Sequence, residues 1–210
     1  MSQDRNHDAN NNVDDNFNNS FSSSESLDAL DISASDNIDD EVLDNFYHRE
    51  QLLSVMTATL NYIDEQVKGG LILPYFDDID AEQWQKKIKV LDIYITDEVE
   101  GRELNLEARQ KDYATNILSY PSDLPAAIIG LMPTLPLGEL IICHAVMIRE
   151  AAEQNKEARQ HISHLLIHGI LHLLGFDHEL GQAEQDEMER FEIEILAGLN
   201  IPNPYIVNSK

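Results

Sequence analysis

Apolar and polar residues alternate along the chain with two different periods. From His48 to Val67 the apolar positions recur every three to four residues, which predicts a helix that Gly69 and Gly70 end. Residues 88–96 alternate with a period of two, which predicts a strand with one apolar face. The change of period indicates that this part of the chain combines helices with a sheet.

The same patterns continue to the C-terminal end of the sequence. A helix is predicted over about 98–108, and residues 112–121 are predicted as a loop leading into a short strand. Strands are predicted near 126–130 and 138–143, with a loop containing Pro133 and Pro136 between them. Three helices are then predicted at about 144–154, 158–174 and 183–198, with Gly175 and Gly198 ending the last two. This order predicts an α+β fold, close to α/β, in which a small mixed sheet of about four strands packs with helices.

The N-terminal region differs from the rest of the chain in composition. Residues 1–45 are rich in Asn, Asp and Ser and contain twelve acidic residues against one basic residue. Such a segment buries too little apolar surface to offset its ordering entropy, so we expect a disordered acidic extension. It would serve as an interaction tail or as a solubilising extension. Residues 46–210 are predicted to form a single domain.

Composition narrows the setting in which the protein acts. The chain of 210 residues is 42% hydrophobic and has one cysteine, Cys143. No apolar run approaches the ~20 residues that cross a bilayer, and the N-terminus does not resemble a secretory signal. We therefore expect a cytoplasmic protein without a membrane partner. The net charge of −25 argues against broad binding to duplex nucleic acid, although it does not exclude a small basic cleft.

One run of the sequence carries a candidate for chemistry, HGILHLLGFDH at 168–178. His168 and His172 are four residues apart, so on a helix they project from one face. Gly175 allows the chain to leave the helix and turn back, which would bring His178 to the same place. Three imidazoles with an open fourth position are typical of a catalytic zinc site, so we predict that they bind one Zn²⁺ ion. This places the site on a helix of the C-terminal half and the turn that follows it.

Three neighbouring residues receive weaker interpretations. His164 lies one turn before His168, and we expect it to pack beside the site as a structural histidine. His161 is expected to be exposed. Asp177 would either orient a ligand imidazole or cap the chain reversal, and the sequence does not favour one of these roles over the other.

The histidine spacing resembles that of the metzincin proteases, whose pattern is HExxHxxGxxH. Gly169 stands where those enzymes carry the glutamate that acts as general base. Glycine has no group that accepts a proton from water, which disfavours peptide hydrolysis by that route. A zinc-dependent peptidase therefore remains an alternative, but a disfavoured one.

A more extensive resemblance covers roughly residues 88–205. The run HLLIHGILHLLGFDHE looks like the signature of the YbeY-type endoribonuclease family, also called the rRNA maturation factor family. Residues 103–121 are similar to a family segment that ends in a TNVLSFP-like run, and LGELIIC at 137–143 is similar to the family's LGDIVIC strand. The helix AEQDEMERFEIEIL and the later residues 203–205, Asn-Pro-Tyr, resemble its C-terminal helix and DPY-like ending.

This resemblance implies a cytoplasmic, single-strand-specific metallo-endoribonuclease. Such enzymes act in maturation of the 3′ end of 16S rRNA and in late-stage quality control of 70S ribosomes, so single-stranded rRNA is the implied substrate and the ribosome or ribosomal proteins the implied partners. The resemblance also places the zinc ligands on His168, His172 and His178 and the family's functional arginine on Arg109. A guanidinium at Arg109 could pair with a phosphate, although without the resemblance a surface ion pair would be its expected role. A non-enzymatic ribosome-associated factor with structural zinc is a further alternative.

Overall fold

The computed structural model describes residues 29–206, which form eight helices, four strands and one short 3₁₀ helix. The helices are α1 Asp40–Phe46, α2 Arg49–Lys68, α3 Ala81–Lys86, α4 Glu98–Arg109, α5 Ala126–Leu131, α6 His144–Glu153, α7 Ala158–Leu173 and α8 Gln182–Gly198. The strands are β1 Ala29–Ala34, β2 Ile88–Thr96, β3 Ile117–Pro121 and β4 Thr134–Cys143, and the 3₁₀ helix is Pro74–Phe76. The predicted α+β fold with a four-stranded mixed sheet is confirmed.

The sheet has the order β1-β2-β4-β3. β1 pairs with β2 and β2 pairs with β4, both in parallel, and β3 runs antiparallel to β4 at the far edge. Helices connect the parallel strands, as such crossovers require. Both edge strands are short, with six residues in β1 and five in β3.

The core lies between one face of the sheet and the helices α2, α7 and α8. Leu91, Ile93 and Ile95 alternate along β2 and are all buried on this face. α7 contacts β3, β4, α2 and α8, so it is the central helix of this layer. Ten of its sixteen residues are buried, in agreement with a helix that is covered on several sides.

The opposite face of the sheet is less covered. Asp92 is exposed there, and α4 packs over the end of the face, where Glu100 accepts hydrogen bonds from the hydroxyls of Tyr94 and Thr96. The N-cap of α4 is Asp97, whose carboxylate accepts from the backbone amides of the first turn. These contacts hold the first turn of α4, and the helix ends at Arg109.

Three predictions about these elements differ from the structure. The prediction that residues 1–45 are disordered is wrong for residues 29–45. In this part of the chain β1 completes the parallel part of the sheet, and α1 follows it. Residues 1–28 lie outside the described part of the chain. The strand predicted near 126–130 is instead helix α5, and β4 begins earlier than predicted, at Thr134, and includes Pro136. A short apolar run has no periodicity that separates a helix from a strand, and Pro125 supplies the start of this helix.

Within residues 29–206, no helix combines the length and the apolar character that a membrane-spanning segment needs.

Candidate metal centre

Helix α7 brings two of the three predicted metal-binding histidines together. His168 and His172 are one turn apart, and their Nε2 atoms are separated by 3.2 Å. Two nitrogen ligands of a tetrahedral zinc ion, each at about 2.05 Å from the metal, would lie about 3.3 Å apart. The spacing of these two nitrogens therefore already fits a shared metal ion.

The chain reversal after α7 supplies the third histidine. Gly175 has a φ of +95°, a left-handed conformation that side chains rarely adopt, and a Cβ atom there would lie 2.8 Å from the Cβ of Pro74. Phe176 is buried and packs edge-on against Phe191 of α8, which anchors the reversal. His178 follows two residues later and faces His168 and His172, with ring centroids 5.3 Å and 5.2 Å away.

His168, His172 and His178, called the histidine cluster below, offer one nitrogen each, and these atoms all lie within 4.8 Å of one another. Among the described residues this is the only group of three or more His, Cys, Asp or Glu side chains with that property. Three imidazole nitrogens suit zinc and other borderline metals better than Mg²⁺ or Ca²⁺, which prefer oxygen ligands. The residues present therefore fit the kind of metal that the sequence predicts.

The surroundings of His172 favour its uncharged form. Burial, followed by the charges of His168 and His178, lowers the pKa of His172 to about 4. A neutral imidazole is the form that binds a metal ion, because the bond needs the nitrogen lone pair. At neutral pH His172 can therefore bind a cation without first releasing a proton.

A buried carboxylate that the sequence analysis missed lies beside the cluster. Glu192 of α8 is 1% exposed, and its two oxygens lie 2.8 Å from Nδ1 of His168 and 3.0 Å from Nε2 of His164. The hydroxyl of Tyr205, beyond the end of α8, donates a hydrogen bond to the same carboxylate. Burial alone would raise the pKa of Glu192, but the hydrogen bonds from His164 and His168 and their charges lower it to about 2. Glu192 is thus ionised at any working pH.

Glu192 lies on a helix face that is otherwise apolar, together with Met188, Phe191 and Ile195, all of them buried. A glutamate on the apolar face of a predicted helix indicates a buried charge, and a buried charge needs a partner. This pattern was the signal in the sequence that could have identified Glu192. The structure also confirms the expectation for His164, which packs beside the histidine cluster through its contact with Glu192.

A cleft of about 500 Å³ extends from His168 and His178 towards the N-terminal half of α7. Its far end contains Glu150 of α6, whose Oε2 atom accepts hydrogen bonds from Asn116, at 2.8 Å, and from Nε2 of His161, at 3.2 Å. The prediction that His161 is exposed is wrong, because the packing of α6 on α7 leaves it only 3% exposed. This end of the cleft is polar and tightly hydrogen-bonded.

Arg109 is placed on the side of the molecule that carries the histidine cluster. It occupies the last turn of α4 and is exposed, and its positive charge contributes to the lowering of the pKa of His172. No carboxylate within residues 29–206 forms an ion pair with it, in contrast to Arg102, which makes a two-pronged ion pair with Asp112 at 2.7 Å and 2.9 Å. Arg109 is therefore available to an anionic ligand, and Arg102 is already engaged.

Two further positions of the motif have structural contacts. Gly169 is buried, and a Cβ atom there would lie 2.7 Å from a methyl group of Leu140 and 2.8 Å from one of Ile117, so α7 approaches the sheet closely at this point. Asp177 accepts a hydrogen bond from the backbone amide of Glu179 at 2.9 Å. This contact matches the turn-capping role of Asp177 rather than the orientation of an imidazole.

An α+β domain with three converging imidazoles at one end of a polar cleft is typical of metal-dependent hydrolases. A sequence model of the family described as Endoribonuclease YbeY matches residues 57–200. The chain belongs to this family, which confirms the resemblance seen in the sequence.

Two relatives with high sequence identity agree with this assignment. The Endoribonuclease YbeY of Psychrobacter arcticus is 87% identical over 205 residues, which cover 98% of this chain and 100% of that protein. The Endoribonuclease YbeY of Psychrobacter cryohalolentis is 97% identical over 153 residues, which cover 73% of this chain and 99% of that protein. The solution structure of TM1509 from Thermotoga maritima aligns with 86% of this chain and 99% of its own, at 18% sequence identity and a TM-score of 0.44.

Proposed function

We propose that this protein is a zinc-dependent endoribonuclease that cleaves single-stranded RNA. Two relatives that are 87% and 97% identical to it are named Endoribonuclease YbeY, and the chain belongs to that family. The observation that carries the metal dependence is the 3.2 Å separation of the Nε2 atoms of His168 and His172, with His178 beside them. A bound zinc ion would acidify a water molecule to near-neutral pH and polarise a phosphoryl oxygen.

The protein's own residues supply the remaining parts of the reaction. His168, His172 and His178 would hold the metal through one ring nitrogen each. Arg109 contacts the scissile phosphate and stabilises the negative charge that builds up on its oxygens, because a guanidinium matches the geometry of a phosphate. Support for this role comes from its exposure and from its electrostatic effect on His172.

The substrate we propose is ribosomal RNA, with roles in maturation of the 3′ end of 16S rRNA and in late-stage quality control of 70S ribosomes in the cytoplasm. This proposal follows the family resemblance. The net charge of −25 supports one part of it, since a strongly acidic protein repels free RNA and would need a ribosomal partner to bring it to its substrate.

The activity is tested by incubating the purified protein with single-stranded RNA and, separately, with casein, each with and without a chelator. We expect RNA cleavage that the chelator abolishes and that zinc restores, and no cleavage of casein. Casein cleavage that depends on the metal would replace the proposal with a peptidase. RNA cleavage that is unchanged in His172→Ala would also contradict the proposal.

The cellular role is tested by mapping the 3′ ends of 16S rRNA in cells that carry His172→Ala in place of the wild-type chain. We expect unprocessed 3′ ends to accumulate. Normal ends in these cells, with the variant protein present at wild-type level, would contradict the role in 16S rRNA maturation. Full rescue by a folded variant that binds no zinc would instead indicate a non-enzymatic ribosome-associated factor.

A further inference from the structure

One buried carboxylate joins the histidine cluster to the end of the chain that follows α8. Oε1 of Glu192 lies 2.8 Å from Nδ1 of His168, and no other hydrogen bond within residues 29–206 reaches that oxygen. Oε2 of Glu192 receives hydrogen bonds from Nε2 of His164, at 3.0 Å, and from the hydroxyl of Tyr205. The two oxygens thus have different partners, and only one of them faces a residue of the histidine cluster.

The chemistry of a carboxylate determines the proton positions on its partners. An ionised carboxylate only accepts hydrogen bonds, so Nδ1 of His168 must carry a proton. In a neutral imidazole Nε2 is then unprotonated, and this is the atom that lies 3.2 Å from Nε2 of His172. Without an acceptor at Nδ1, His168 could place its proton on Nε2 instead, and the ring would lose the lone pair that faces the metal position.

The contacts on Oε2 fix the orientation of the carboxylate. Tyr205 packs edge-on against the His164 ring, with centroids 5.8 Å apart, and its backbone amide donates to the side chain of Asn203 at 2.8 Å. The segment after α8 therefore brings the Tyr205 hydroxyl to Oε2 of Glu192, whereas His168 contacts Oε1. An amide at position 192 could not reproduce this arrangement, because it has only one acceptor oxygen for three donors.

We propose that Glu192 is a positioning residue that keeps the unprotonated Nε2 of His168 directed at the metal position, and that Tyr205 contributes to metal affinity by fixing Glu192. This inference rests on the proposed metal site but not on the proposed RNA cleavage. It assigns a function to Tyr205. Within the described residues, Tyr205 forms no hydrogen bond with the three residues of the histidine cluster, and its hydrogen bonds reach them only through Glu192.

The test uses the full chain with three substitutions, Glu192→Gln, Tyr205→Phe and the control Glu194→Gln. Glu194 is a suitable control because it lies on the same helix and also accepts a hydrogen bond, from Tyr62 at 2.7 Å, but it contacts no histidine. Two quantities are measured on each protein. One is the tautomer of His168 in the metal-free state, from the ¹⁵N chemical shifts of its ring, and the other is zinc affinity, from competition with a chromophoric chelator.

In the wild-type chain we expect His168 with its proton on Nδ1. Glu192→Gln is expected to give a mixture of tautomers and a zinc affinity about 10- to 100-fold lower. Tyr205→Phe should retain the tautomer and lower zinc affinity by a smaller factor, about 3- to 10-fold, since one of three hydrogen bonds to the carboxylate is lost. Glu194→Gln should match the wild type in both measurements.

A zinc affinity within twofold of the wild type in Glu192→Gln, with the tautomer unchanged, would overturn the proposal. If Glu192→Gln does not fold, Tyr205→Phe decides, because it removes only one hydroxyl group, and an unchanged zinc affinity there would be equally contradictory. Neither measurement involves RNA, so a protein that binds zinc as expected but cleaves no RNA would refute the proposed activity and leave this inference intact.

Discussion

At the scale of single residues, Gly169 explains why the likeness to metzincin proteases stops at the histidines. A glutamate at this position would act as a general base only if its side chain could extend towards the metal position. Here even a Cβ atom would meet methyl groups of Leu140 and Ile117 at 2.7–2.8 Å, so the position is directed at the sheet. The glycine is required for the close packing of α7 on β3 and β4, and the reaction must proceed without a carboxylate at that place.

The role proposed for Arg109 can be tested by removing its side chain. We expect Arg109→Ala to lower kcat for RNA cleavage by about 100-fold, because a charge-stabilising donor to the phosphate is removed. Zinc content should remain the same, since Arg109 is not one of the cluster residues. The measurement is single-turnover cleavage of a labelled single-stranded RNA, together with metal analysis of the same sample.

The matched control is Arg102→Ala, which removes an exposed arginine from the same helix, one that is paired with Asp112. We expect it to cleave RNA within a factor of about three of the wild type, as is usual for an exposed surface position. If both variants lose the same amount of cleavage activity, Arg109 acts only by adding one positive charge to α4 and not by contacting the phosphate. Unchanged cleavage in Arg109→Ala with zinc bound would remove its proposed role.

At the scale of elements, β1 extends the domain into the region that the composition marks as disordered. Its Leu30 is 2% exposed and belongs to the same buried core as Leu91 and Ile93 of β2. The six residues of β1 pair with β2 over the complete length of β1. The edge of the sheet beside β2 is therefore covered by a strand that lies about 60 residues earlier in the sequence, before α1.

Leu30→Ala is therefore expected to destabilise the protein by about 2–3 kcal/mol, since it leaves a cavity under the edge strand. The measurement is the free energy of unfolding in urea. Ser33→Ala, at an exposed position of the same strand, is the control and should change it by less than about 0.5 kcal/mol. If Leu30→Ala has no effect, residues 29–34 do not contribute to the folded sheet in solution.

The contact between Glu150 of α6 and His161 of α7 is expected to make the stability of the fold depend on pH. The hydrogen bond from His161, opposed by burial and assisted by the bond from Asn116, holds the pKa of Glu150 below its ordinary value of 4.5. A carboxyl group with a lowered pKa in the folded state stabilises the fold above the pKa of the unfolded state. This stabilisation is lost as the pH falls through the lower, folded-state pKa.

We therefore expect Glu150→Gln to be less stable than the wild type at neutral pH by about 1 kcal/mol, and this difference to shrink as the pH falls from about 5 to about 3. The free energy of unfolding in urea, measured across this range, checks it. Glu153→Gln removes the same charge from the same helix and should show no such convergence. A difference that is constant with pH would contradict the role of the ionised Glu150.

Elements formed by residues close together in the chain could be predicted from the sequence, and elements that depend on distant residues could not. Helix α7 and the reversal at Gly175 could be predicted because they depend on residues close together in the chain, a pair of histidines four apart and one glycine. β1 could not be predicted, because its pairing with β2 joins residues about 60 positions apart. Its short apolar pattern is also surrounded by polar residues. α5 was predicted as a strand because six apolar or small residues are too few to show a period.

The residues of the candidate site likewise include some that the sequence predicts and some whose contacts it does not. The histidine cluster could be predicted, since its three members lie within eleven residues. The position of Glu192 among the apolar residues of α8 marks it as buried, but its contacts with His168 and His164 could not be predicted, because they span 24 and 28 residues and depend on how α8 packs against α7. The position of Arg109 relative to the cluster likewise depends on how α4 packs on the sheet, which no local pattern contains.

At the scale of the whole molecule, the protein combines the proposed site for a cation and a phosphate with a strongly negative net charge. The net charge of −25 opposes contact with RNA, whereas Arg109 and a metal ion in the histidine cluster would attract one phosphate. Charge of this kind lowers the rate of encounter with free RNA more than it affects chemistry once the strand is bound. The molecule as a whole thus suits an enzyme that meets its RNA on a larger partner.

The most direct test of the central claim is a titration of the metal-free protein with zinc, in which bound zinc and cleavage of single-stranded RNA are measured on the same samples. We expect both to rise together and level off at one zinc ion per chain, and His172→Ala to show neither change. Cleavage by the metal-free wild-type protein, or cleavage that starts only beyond one equivalent of zinc, would contradict the assignment of the histidine cluster as the catalytic metal site.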